Sequence, residues 1–194
     1  MSEKEYLMLR DELLHLDDVI VHTINFSYAF LASLIAFALT QEDTLYIMLS
    51  YLVILPAYLI VLSKLHGMSK IGGYLYVYHE KYGNANFQWE TMNLKFANHV
   101  ASKDIFSINW ITSFMYTFHF PYAMLNIAIF GLFLFRTHWN CLAIYDICKI
   151  SICSFIFIFL FLLINKNRKI GTKDFAHQWD SLRKIRSEQL EGIK

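Results

Sequence analysis

Cysteine is scarce and badly placed for metal or disulfide chemistry in this 194-residue sequence. Cys141, Cys148 and Cys153 are its three cysteines, and they lie in or beside one apolar segment with no CxxC spacing and no histidine pair nearby. Neither a zinc site nor a disulfide framework is indicated, so no cofactor and no metal are expected. A Walker phosphate loop, a Rossmann glycine pattern, HExxH and GxSxG are all missing too. Nucleotide-driven transport, redox and hydrolase readings are left without support. Net charge is also small, at +1, but that figure hides a strong asymmetry along the chain.

What is abundant is apolar surface. A hydrophobic content of 56%, with 17% aromatic residues, is too high for a water-soluble fold, so part of the solvent has to be lipid. A helix needs roughly 20 apolar residues to cross the hydrocarbon core, where only a helix or a closed barrel satisfies the backbone. Four stretches reach that length: 19–39, 44–62, about 112–135 within 105–135, and 144–164. The expected fold is all-α, a four-helix transmembrane bundle with a cytoplasmic helical portion. Its parts are an amphipathic helix (1–18), a first hairpin (19–62), a helical loop (63–104), a second hairpin (105–164) and a basic tail (165–194). Pro121 is expected to kink the third span.

Lysine and arginine resist translocation, so their distribution sets orientation. Fifteen of the seventeen basic residues fall in 1–18, 63–104 and 165–194, against Arg136 and Lys149 on the other side. Both termini are therefore expected in the cytoplasm, in a multi-pass protein of the plasma membrane. From the 1–18 segment into the first span, Tyr6, Leu9, Leu13, Leu16 and Ile20 repeat at helical spacing and make one apolar stripe. The opposite face is acidic. The tail is basic and carries its own stripe, Phe175, Trp179, Leu182 and Ile185, so it is expected either to pair with the acidic segment or to lie on anionic lipid. Helical spacing continues past Lys64 through Ile71, Tyr74 and Tyr78, with Gly67 and the Gly72-Gly73 pair expected to bend it. A turn is read at 82–86 and a further helix at 89–100.

Polar groups inside a bilayer are costly and hence informative. His22 and Asn25 in the first span, with His119 and Asn126 in the third, are read either as one polar seam lining a conduction pathway or as hydrogen-bonding glue between helices. Ala29 with Ser33 and Ala32 with Ala36 form two small-xxx-small pairs, which let helix backbones approach closely and suit a homo-oligomer. Asp146 and Lys149, one turn apart, are expected to form an ion pair. Arg10-Asp11-Glu12-Leu13-Leu14-His15 matches the Arg-polar-xxx-His pattern of the HEPN ribonucleases, which makes Arg10 and His15 the alternative catalytic pair. No other general base or orienting group accompanies them, so a non-enzymatic role is expected.

In length, four spans and a helical cytoplasmic portion, the layout resembles the small accessory membrane proteins of type VI-B CRISPR systems, with the RDELLH stretch echoing their HEPN-bearing branch. The resemblance implies a membrane-resident modulator of antiviral defence, an oligomeric pore among the forms it could take. Expected partners are the lipid bilayer, further copies of the chain and a cytoplasmic protein. The tail, with Trp179 and Phe175, could also contact nucleic acid, although the positive-inside bias accounts for most of its charge. Other readings are a membrane-tethered ribonuclease and a small permease or assembly factor.

Overall fold

The computed structural model describes residues 3–41, 43–81, 118–137, 144–167 and 172–191. Among these the protein is all-helical. Helix α1 (Glu3–Thr40) is followed by a short helix α2 (Leu45–Met48), by α3 (Tyr51–Leu75) and by a π-helical turn (Tyr76–Lys81). Then come α4 (Phe120–Arg136), α5 (Ile144–Asn167) and α6 (Thr172–Glu191). Three helical stretches are long and apolar enough to cross a membrane: Lys4–Thr40, Leu45–Tyr78 and Ile144–Asn167. Helix α4 is apolar but has 17 residues; the expected beginning of the third span, like the turn at 82–86, the helix at 89–100, Trp110, Trp139 and Cys141, lies outside the described residues.

Two compact units divide the chain, and α1 and α3 contribute to both. One comprises Met1–Val19, Ser63–Met115 and Ile170–Lys194; the other comprises Ile20–Leu62 and Tyr116–Lys169.

Among the described residues the first unit is built from the start of α1, the end of α3 with the π-helical turn, and α6. Tyr6 and Leu16 of the expected α1 stripe are buried, and Leu9 and Leu13 are half-buried. α3 continues as a helix through Gly67, Gly72 and Gly73 to Leu75, although glycine weakens a helix. Packing supplies the reason. A β-carbon added at Gly73 would lie 2.7 Å from the Ala176 backbone nitrogen and 2.9 Å from the Phe175 carbonyl carbon. The glycine is therefore where α6 presses its backbone onto α3, and the propensity it costs, about 1 kcal/mol, is offset by that approach. Trp179 locks the contact by donating its indole N–H to the Lys70 carbonyl at 3.0 Å.

Tyr74 joins all three segments of this unit: it donates to Glu5 at 3.2 Å and meets Trp179 edge-to-face at 5.2 Å. Its ring also stacks on Tyr78 at 4.7 Å. Lys81 and Asp180 pair at 3.1 Å, which ties the π-helical turn to α6. The apolar stripe expected in the tail is thus only half used. Phe175 and Trp179 pack, whereas Leu182 and Ile185 are exposed.

In the second unit, α4 and α5 pack together through rings and one side-chain bond. Phe130 stacks on Phe157 at 4.3 Å, and Asn126 donates its amide to the Phe157 carbonyl at 3.2 Å. Ile54, Tyr58, Tyr122, Ile129, Phe133 and Leu160 are wholly enclosed. Large apolar side chains cover the outside: Phe26, Phe30, Leu52, Ile127 and Phe155 are among those exposed. Apolar residues on both the inside and the outside of a helical unit are what a lipid solvent requires. Pro121 sits in the first turn of α4, where its missing N–H has no helical partner to lose.

Candidate functional site

The four polar residues expected to form one seam lie on two different faces. His119 and Asn126 are buried, and Tyr122 lies between them on the same face of α4. A matching face of α3, from Tyr51 through Ile54 to Tyr58, packs against them. The Tyr58 hydroxyl meets His119 Nδ1 at 3.1 Å, the Tyr58 and Tyr122 rings are 5.3 Å apart, and the Tyr51 hydroxyl donates to the Asn126 backbone carbonyl at 3.4 Å. The inner seam is therefore built from tyrosines as much as from the two expected residues. Tyr51, Tyr58 and Tyr122 do not stand out in the sequence, because aromatic rings are common in membrane helices. The clue was that Tyr51 and Tyr58, and His119, Tyr122 and Asn126, share the helical period.

Replacing Tyr58 with phenylalanine removes one interhelical hydrogen bond without changing the ring. Such bonds inside membranes are worth about 1 kcal/mol, so the variant is expected to unfold at a modestly lower denaturant concentration in the same lipid.

His22 and Asn25 point the other way. Both are exposed on α1, and so are Ala29, Ala32, Ser33 and Ala36. At spacings of three and four, His22, Asn25, Ala29, Ala32 and Ala36 form a single stripe, with Ser33 beside it. The Ser33 hydroxyl is satisfied within its own helix by the Ala29 carbonyl at 3.1 Å. His22 and Asn25 make no hydrogen bond among the described residues. The helix thus presents a small, partly polar face that the described residues do not cover.

A third polar cluster closes one end of the unit. Lys149 bonds Asp146 at 2.9 Å, as its spacing predicts, and also Asp43 at 3.0 Å, which only the fold brings close. Its ammonium lies over the Tyr145 ring at 4.3 Å from the centroid. Asp43 Oδ1 accepts the Leu45 backbone N–H at 2.9 Å, and that bond leads in holding the carboxyl below its ordinary pKa, with Lys149 adding to it. Close by in sequence, Arg136 donates to the Gln41 carbonyl at 2.7 Å and to the Leu39 carbonyl at 3.4 Å. The segment between α1 and α2 is therefore fastened to both α4 and α5.

Arg10 and His15, the alternative catalytic pair, are exposed on α1, five residues apart and so about 140° apart around the helix. No group of histidine, cysteine or carboxylate side chains suited to a metal ion is found among the described residues. Comparison with protein-family models, curated proteins and solved structures gives no match.

Proposed function

We propose that the chain is a non-enzymatic membrane effector or regulator that works as a homo-oligomer. It spans the plasma membrane four times, with both termini in the cytoplasm. One observation carries this reading: the exposed α1 face of His22, Asn25, Ala29, Ala32, Ser33 and Ala36. Asn25 lies about 9 Å along the helix from the start of the expected first span, well inside the hydrocarbon. An amide left without a hydrogen-bond partner there costs several kcal/mol, and the alanines that follow it allow another backbone to come close. A second copy of the same face supplies both the partner for the amide and the packing.

The basic residues of 1–18, 63–104 and 165–194 support the orientation through the positive-inside rule. In this topology the first unit lies on the cytoplasmic side and receives the signal, from a protein partner there. α1 and α3 contribute to both units, so a change in the seating of α6 on α3 bears on helices that also build the apolar core. In the setting that the resemblance implies, the signal follows RNA-guided recognition and the response is a rearrangement of the spans, an oligomeric pore being one form of it.

The test is the mass of the particle in nanodiscs, by native mass spectrometry, for the natural chain and for Ala32→Phe. Several copies for the former and a shift toward one copy for the latter are expected. A natural chain that is monomeric at every lipid-to-protein ratio overturns the reading.

A further inference from the structure

The first two-fifths of α1, within the first unit, carries an uncovered face of a different chemistry. Leu7 and Leu14 are 49% and 60% exposed, and Asp11 and Asp18 are exposed with them. Their spacings of four, three and four place all four within about 60° around the helix, on the side away from the buried Tyr6 and Leu16. Leucine and aspartate thus alternate along one narrow row. Among the described residues neither carboxylate makes a hydrogen bond or an ion pair, whereas Arg10, the basic residue between Leu7 and Asp18, has a contact of its own.

The composition of the row narrows what can cover it. Exposed leucines beside a membrane would ordinarily dip into the interface, but carboxylates in the same row are repelled by an anionic cytoplasmic leaflet. A second copy laid in register along the row would set Asp11 against Asp11 and Asp18 against Asp18. Like charges in a helical seam are destabilising. The small-residue contact proposed for the span avoids that clash, since such helices cross at about 40° and Leu14 stands about 22 Å along the helix from Ala29. The two arms diverge. The basic helix of this chain, α6, is held on α3 by Trp179 and on the π-helical turn by Asp180, and it forms no ion pair with either carboxylate.

We propose that the row Leu7, Asp11, Leu14 and Asp18 is the docking surface for a basic amphipathic helix of a cytoplasmic partner protein. The two leucines pack on the apolar stripe of that helix, and the two carboxylates pair with lysine or arginine flanking the stripe. This rests on the cytoplasmic placement of the first unit in the reading above, and gives the partner there its chemistry. The alternation sets specificity as well: an acidic helix meets like charge, and a purely apolar one leaves both carboxylates covered and unpaired.

The probe is a labelled synthetic peptide of about three heptads with leucine and lysine alternating along one seam, titrated by fluorescence anisotropy onto the full chain in nanodiscs of zwitterionic lipid. Empty nanodiscs are the blank. Saturable binding to the natural chain is expected, about tenfold or more weaker in the double variant Asp11→Lys, Asp18→Lys. A peptide with glutamate in place of lysine should show the opposite preference, and its gain on the variant shows that the reversed face is still folded. Binding of the basic peptide no better than to empty nanodiscs, or equal binding to both chains, overturns the proposal. So does a charge reversal that changes the copy number and leaves peptide binding alone, which would give the face to a second copy. Native mass spectrometry of the same samples separates the two readings: a monomer that binds the peptide sinks the oligomer and keeps this surface, and an oligomer that ignores the peptide does the converse.

Discussion

Gly73→Ala is expected to free α6 from α3, although alanine is the better helix former. Propensity alone favours the substitution by about 1 kcal/mol. Against it, the new methyl group would stand 2.7 Å from a backbone nitrogen and 2.9 Å from a carbonyl carbon of α6. Backbone cannot swing aside as a side-chain tip can, so α6 has to move, and overpacking of this kind costs about 1–3 kcal/mol. Loss then spreads, since the Trp179 bond to the Lys70 carbonyl and the ring contact with Tyr74 need the same close approach. Red-shifted tryptophan emission and faster proteolytic cutting within α6 would report the release.

Gly67→Ala is the internal control. Its added β-carbon meets the tip of Leu16 at 3.6 Å, an ordinary contact, so this variant should keep α6 seated and gain a few tenths of a kcal/mol or more. Equal behaviour of the two variants would show that helix propensity, and not the seating of α6, governs this part of α3.

Lys149→Met is expected to cost the second unit about 1–2 kcal/mol. Removing one partner of a buried ion pair costs roughly 3–5 kcal/mol. Lys149 is buried, with 10% of its side chain exposed, but Asp43 and Asp146 are 39% and 31% exposed, so water rescues part of what the carboxylates lose. The same cluster sets a pH dependence. The Asp43 carboxyl is held below its ordinary pKa, chiefly by the Leu45 N–H and then by Lys149. A depressed carboxyl contributes stability that is fully present above its unfolded pKa, about 4, and is lost as pH falls through the lower folded value. Acid titration of unfolding in nanodiscs should therefore show a loss of stability below about pH 4 that is smaller in Lys149→Met and smaller still in Asp43→Asn. An unchanged acid limb in both variants would remove this cluster from the pH response.

How legible the molecule is in its sequence depends on the range of the interaction. The all-helical class and the several apolar helices follow from composition and from runs of apolar residues, which act locally through the backbone's need for hydrogen bonds in lipid. The Asp146–Lys149 pair was legible for the same reason, being one helical turn long. So was the buried stripe through Tyr6, Leu16 and Ile20.

Other features depend on residues far apart in the chain. Asp43 reaches Lys149 across 106 positions, and the Trp179 indole reaches the Lys70 carbonyl across 109. Gly73 read as a weak point because its local effect is to loosen a helix; only the approach of α6 shows that the missing side chain is what lets two backbones touch. His22 and His119 looked alike as polar residues within apolar runs, and the hydropathy pattern holds nothing to separate them. Among the described residues, the sequence by itself determined the all-helical class and the several apolar helices, because those are properties of a residue and its neighbours within a turn or two. Only the tertiary structure decided which polar side chains turn inward, with Tyr58 and Tyr122, and which are left on the open face of α1, because that depends on how each helix is rotated against the others.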